Sequence, residues 1–150
     1  MDKKRGTEMI TEVYVSKDAF LPLLRQARKD FLEHNVDMTY GTIRFIEKDT
    51  ESFLAWAKEP SVCVVCNLHV VHTKEGKKKA AEDFRRIIDR VIQFSGRYYL
   101  TYHRWANRKQ VATCYPQFVD FLRLKKKYDP QERLQSDWYR HYKSLFADKL

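Results

Sequence analysis

The sequence predicts an α+β fold: one antiparallel sheet with helices on one of its faces, followed by a helical extension. Three observations predict it. Ile10–Val15, Ser61–Val71 and Arg97–Trp105 alternate apolar and hydrogen-bonding residues with the period of two that strands show. Between them lie two apolar ridges at the 3.6-residue spacing of amphipathic helices: Phe20, Leu23, Leu24, Ala27, Phe31 and Leu32, then Ala80, Ala81, Phe84, Ile87, Ile88, Val91 and Ile92. The strands and helices succeed one another with no repeat, low-complexity segment or Pro/Gly-rich linker.

In chain order, Met1–Glu8 with Lys3, Lys4 and Arg5 reads as a flexible basic start. Ile10–Val15 is the first strand, with Val13 and Val15 on one face. Asp18 is positioned to cap the first helix and Asn35 to end it. Met38–Glu47 is a second strand, Thr50–Lys58 a short amphipathic helix closed by Pro60, and Ser61–Val71 a valine-rich third strand. Thr73 caps the second long helix and Ser95-Gly96 stops it. Arg97–Trp105 then forms the last strand. That order is β-α-β-β-α-β, the split pattern of a ferredoxin-like sheet with both helices on one face. Helical segments follow from Arg108 to Tyr128, interrupted at Pro116. Asp129-Pro130 turns the chain, and an aromatic tail runs from Leu134 to Phe146. The expected division is a basic start over 1–9, a sheet domain over 10–106, and an extension over 107–150 packed on it as a single domain.

A chain of 150 residues with 43% hydrophobic and 14% aromatic content can bury one sizeable core. With 29 basic against 20 acidic residues, its charge of +9 favours anionic partners such as phosphates or nucleic acid. The basic clusters K-K-R, K-K-K and R-L-K-K-K read most simply as solvated helix faces or termini. No apolar run reaches the length of a membrane span and no signal-peptide pattern opens the chain. Three cysteines fit reduced thiols, and a cytoplasmic location is expected.

Comparing strand faces yields the candidate site. If the helices cover Ile43, Phe45, Val64, Cys66, Leu68, Val70, Tyr98, Leu100 and Tyr102, the opposite face presents Thr42, Arg44, Asn67, His69, Tyr99, Thr101 and His103. That set is too polar for a core and reads as the wall of a binding site. Arg44 either pairs with Glu12 or Glu47 or contacts an anion or carbonyl oxygen, since an unpartnered guanidinium is costly to bury. His69 and His103 are candidate acid/base groups near neutral pH, or structural histidines held by hydrogen bonds. Cys63, Cys66, His69 and His72 follow one another at three-residue spacing. On a strand that spacing sends them alternately to opposite faces, against a zinc or redox reading. Cys114 reads as a small core residue. No G-x-S-x-G, Walker or G-x-G-x-x-G motif occurs.

Y-G-T-I-R-F-I-E, the N-L-H-V strand, Y-Y-L-T-Y-H-R-W-A and K-Y-D-P-Q-E-R-L-Q-S-D-W together resemble the C-terminal part of FAD-linked oxidases of the vanillyl-alcohol oxidase type. The resemblance spans roughly Met9 to Asp148. It implies a cap domain that covers the flavin and shapes the substrate pocket, opposite an FAD-binding domain. Arg44 is then implied near flavin or substrate, and Thr42 stands where the family has an acidic residue. His103-Arg104-Trp105 resembles the family's H-W-x-K region, which approaches the flavin ring, with Arg104 inserted and the lysine absent. The segment from Asp129 to Ser136 resembles D-P-x-x-x-F-x-N, with Leu134 and Ser136 departing from it. Arg104, Trp105 and Ser136 are thus implied as cofactor contacts. Thr42, Arg44, Asn67, Tyr99 and Thr101 would contact an alcohol substrate, and His69 and His103 would handle protons. With only four glycines, no pyrophosphate loop and no flavin-attachment histidine motif, the chain reads as a fragment, split subunit or remnant that needs a flavin partner. The alternative is an RNA-binding module on the same basic, aromatic sheet, although no RNP-like pattern is present.

Overall fold

The computed structural model describes residues 5–150. Four strands, β1 (Gly6–Val15), β2 (Met38–Ile46), β3 (Ser61–Val71) and β4 (Arg97–Tyr98), form one antiparallel sheet in the order β2-β3-β1-β4. Two long helices, α1 (Lys17–Glu33) and α2 (Lys74–Gln93), separate them, and α3 (Arg108–Cys114), α4 (Phe118–Tyr128) and α5 (Asp137–Leu145) make up the extension. The division is therefore α+β, as expected. Lys3 and Lys4 lie outside the described residues, whereas Gly6–Glu8, expected in the flexible start, already pair with β3.

Capping explains where the helices begin. The Ser16 hydroxyl accepts from the Ala19 amide and caps α1, so Asp18 falls inside the first turn, where its charge suits the helix dipole. Thr73 caps α2 as expected, accepting from the Gly76 amide at 3.0 Å. Gly76 has no room for a side chain, because a Cβ there would lie 2.4 Å from the Val71 carbonyl oxygen. At the end of α2 it is Ser95 that turns left-handed (φ 56°), while Gly96 lets the chain pass the Tyr14 carbonyl. Asn107 and Gln110 form a reciprocal capping box at the start of α3. Pro116 separates α3 from α4, as the sequence predicts. Asp129 fastens the next turn by accepting from the amides of Arg133 and Leu134.

Two expected elements differ. Residues 50–58 form turns and no helix. The Asp49 carboxylate accepts from the amides of Glu51 and Ser52 at 3.0 and 2.9 Å, offering the backbone a local turn in place of a helical ladder. The last strand stops at Tyr98 rather than Trp105. Its ladder ends where the Tyr99 amide bonds the Glu12 carbonyl, and the outward carbonyls of Tyr98 and Leu100 are taken by the Tyr115 hydroxyl and the Trp138 indole N–H. The extension thereby closes the β4 edge, and the chain turns over 100–102.

The core lies on the helix side. Val13, Val15, Val64, Cys66, Leu68 and Val70 of the sheet meet Leu23 of α1 and Phe84, Ile88 and Val91 of α2, and the cluster continues into Val111, Phe118, Leu122 and Tyr142. Each large apolar side chain buried there contributes on the order of 2 kcal/mol. Polar clasps orient the layers. Arg90 grips Asp30 with two hydrogen bonds, at 2.5 and 2.9 Å, joining α2 to α1. Buried Gln110 donates to the Arg85 carbonyl and the Asp89 carboxylate, joining α3 to α2. Among the described residues no helix is long and apolar enough to cross a membrane.

Candidate functional site on the open sheet face

Register places the side chains of the helix-free face in rows. Arg44, Cys63 and Tyr14 form one row across β2, β3 and β1; Thr42, Val65 and Glu12 form the next, followed by Tyr40, Asn67 and Ile10. His69 stands opposite Glu8 at the far end. Glu12 is the hub. Its carboxylate accepts from the Tyr14 hydroxyl at 2.7 Å and from the Tyr102 hydroxyl at 3.0 Å, and lies 3.9 Å from the Arg44 guanidinium. The Cys63 thiol points at the same carboxylate. Of the two sequence readings of Arg44, the pairing with Glu12 is present, yet its side chain stays 58% exposed and can reach a further ligand.

The electrostatics follow from this packing. Burial, reinforced by the bond to Glu12, pushes the phenol of Tyr14 well above its usual value, and Tyr102 is raised for the same reasons. Burial and the Glu12 charge push the Cys63 thiol up to about 12, so it stays protonated and unreactive. Tyr99 leans on Tyr102 (ring centroids 4.9 Å) and on Trp56 (5.8 Å), shielding one end of the face. Asn67 is buried and its side-chain oxygen has no partner among the described residues.

At the far end the His69 Nδ1 bonds Glu8 at 2.8 Å, and the other Glu8 oxygen accepts from Thr39 at 2.6 Å. Those two bonds hold the Glu8 carboxyl below its usual value. The imidazole lies over Gly6, where a Cβ would come within 2.3 Å of Nε2. Cys63 belongs to this face and Cys66 to the helix side, and among the described residues no three His, Cys, Asp or Glu side chains converge as a metal set.

Several expected site residues lie elsewhere. His103 is in the core, with ring centroids 4.5 Å from Phe84 and 5.7 Å from Trp105. Its Nε2 is 3.4 Å from the Thr11 hydroxyl, and burial pushes its pKa down to about 4. The early end of β4 is the cause: beyond the turn the alternation slips by one, bringing Tyr102 to Glu12 and sending His103 to the helices. Thr101 is exposed in that turn, beside an aromatic cleft of about 400 Å³ that includes Trp56, Tyr115 and Trp138. Trp105 packs on Phe84, Ser136 is spent capping α5, and Arg104 approaches Asp137 at 4.0 Å on the extension. Thus Thr42, Arg44, Asn67, His69 and Tyr99 share the open face, while His103, Arg104, Trp105 and Ser136 do not. Sequence reasoning named Glu12 only as a partner for Arg44, not as the hub of the face, and missed Tyr14 and Tyr102. Glu12 and Tyr14 were readable from the alternation that put Val13 and Val15 on the helix side.

Comparison of the chain with protein-family models finds none that matches, and comparison with curated proteins finds no match either.

Proposed function

We propose that this chain is the cap and substrate-binding portion of an FAD-dependent oxidoreductase that oxidises an alcohol or sugar-like substrate, working with a separate FAD-binding domain or subunit. One arrangement carries the reading. A carboxylate is held by two tyrosine hydroxyls beside an exposed arginine, on a sheet face that no helix covers. Such a face suits a partner that supplies the missing wall. The strand order β2-β3-β1-β4, with α1 and α2 on one side, supports the ferredoxin-like reading of the cap.

The residues fit the substrate side of such a site. Arg44, still 58% exposed, can donate to a substrate hydroxyl and the Tyr102 oxygen can accept from one, while Glu12, buried beneath them, holds both in place. Glu12 also offers a carboxylate on the face where Thr42 lacks one. The expected flavin contacts fit less well, since Trp105 and Ser136 are engaged in packing and capping, and no step is assigned to them. The flavin, when bound, supplies a hydride acceptor for the alcohol carbon. This chain's part is to anchor one substrate hydroxyl through Arg44 and the Glu12 cluster, while His69, steered by Glu8 four residues along β1 from Glu12, is placed to accept a proton from a second hydroxyl at that end.

The test is to isolate the tagged chain gently from its own cells, record its visible spectrum, and assay a panel of polyols with the co-purifying material. Flavin absorbance, together with turnover that falls roughly 100-fold in Arg44→Ala, supports the reading. A colourless preparation, or RNase-sensitive nucleobase absorbance in its place, refutes it.

A further inference from the structure

The two edges of the sheet are finished differently. The β4 edge is closed by Tyr115 and Trp138, which take its outward carbonyls. The β2 edge has no strand of the described chain beyond it, and eight of its nine residues are exposed. Natural edge strands are blunted by proline, lysine, inward charges or bulges. β2 has a bulge between Met38 and Tyr40, but from Gly41 to Ile46 it is regular, with Arg44 its one charge. On the helix side its Ile43 and Phe45 are 52% and 75% exposed, because α1 buries only Leu23 among its apolar residues.

We propose that β2 is a homodimer interface, pairing antiparallel with β2 of a second copy about a two-fold axis at Ile43. An axis perpendicular to the sheet keeps the helix side of one copy continuous with that of the other, so residues of the same face must oppose each other. With Ile43 on the axis, Ile43 meets Ile43, Phe45 lies across from Gly41, and Arg44 lies across from Thr42. The Phe45 ring of one copy thus meets the Met38 side chain of the other, whose Cε lies over Gly41. Gly41 has no room for a side chain, since a Cβ would come within 2.7 Å of Met38 Cε and 3.0 Å of the Val65 carbonyl. Moving the axis to Arg44 sets two guanidinium groups against each other, a destabilising like-charge pair. Moving it to Thr42 puts Phe45 against the bulge at Thr39. An axis at Phe45 would set Ile43 against Glu47 and Ile46 against Arg44, so of the four registers compared the one at Ile43 suits the strand best, and that self-complementarity points to a second copy as its occupant. The result is a continuous eight-stranded sheet that covers the exposed Ile43 and Phe45 and leaves the open face accessible.

Sedimentation velocity across a concentration series is the experiment, with no flavin or substrate required. The full chain is expected to dimerise, and Ile43→Lys and Phe45→Lys each to weaken the dimer roughly 30-fold or more. Both side chains are exposed, so the variants should keep the wild-type circular dichroism and melting profile. Register is read separately by oxidative cross-linking. Ile43→Cys should form a disulfide-linked dimer and Arg44→Cys should not, against a background in which the native cysteines are buried. A chain that stays monomeric throughout the series overturns the proposal, as does equal cross-linking from both positions.

Discussion

His103 gives the sharpest test of how the last strand folds. Its imidazole is enclosed by Phe84, Tyr98, Trp105 and Thr11, with no charged group among its ring or hydrogen-bond neighbours. Burial alone holds its pKa down to about 4, from an ordinary value of 6.5. The unfolded chain therefore binds a proton below the ordinary value that the folded chain refuses until the pH reaches the depressed one, and stability falls as pH drops through that window. Linkage between those two values makes the loss about 2 kcal/mol on going from about pH 7 to about pH 5. The acidic groups with lowered pKa values, such as Asp30 and Asp129, lose their contributions only at lower pH. His141 is depressed in the same direction, so wild type alone does not isolate His103. Urea unfolding of wild type and His103→Phe at both pH values does. The variant gives up two long hydrogen bonds, at a cost of about 1 kcal/mol at neutral pH, and should lose about 2 kcal/mol less than wild type on acidification. Parallel pH slopes in the two proteins, or a His103 ring titrating at its ordinary value by NMR, would refute the buried placement.

Asp30→Asn breaks the Arg90 clasp between α1 and α2 and should cost about 2 kcal/mol in urea unfolding; Arg90 is only partly buried, which keeps the loss below that of a fully buried pair. Phe84→Ala opens a cavity at a fully buried position and should cost about 3 to 5 kcal/mol by the same assay. Burial pushes the thiols of Cys63, Cys66 and Cys114 up to about 12, 11 and 12, so a thiol reagent should label none of the three in the native protein and all of them in denaturant. Rapid labelling of Cys63 in the native state would mean that the Glu12 side of the sheet opens readily.

Elements governed by neighbours in sequence could be read from the sequence. Thr73 at the start of α2, Pro116 between α3 and α4, and the 3.6-residue ridges of α1 and α2 all act within a turn or two of themselves. Asp49 also acts locally, but its carboxylate selects a turn where spacing alone suggested a helix. The length of β4 was a different matter. It depends on Tyr115 and Trp138, which reach its carbonyls from 17 and 38 residues away. No window centred on the strand contains them.

That non-local event carries the chemical consequence. Because strand faces alternate with period two, ending β4 a few residues early exchanges which side chains face the helices and which face the open side. A histidine that sequence chemistry would choose as a base becomes a neutral core residue, with its pKa at about 4. A tyrosine that periodicity assigned to the core becomes a hydrogen-bond donor to Glu12. The cluster on the open face is consequently one of a carboxylate, phenols and a guanidinium, suited to gripping hydroxyl groups. The acid/base capacity there rests with His69 and Glu8, at the opposite end of the strands from Tyr14. On the proposed reading, a substrate served by both would lie along β1 and β3, over the rows centred on Asn67, whose side-chain oxygen has no partner among the described residues.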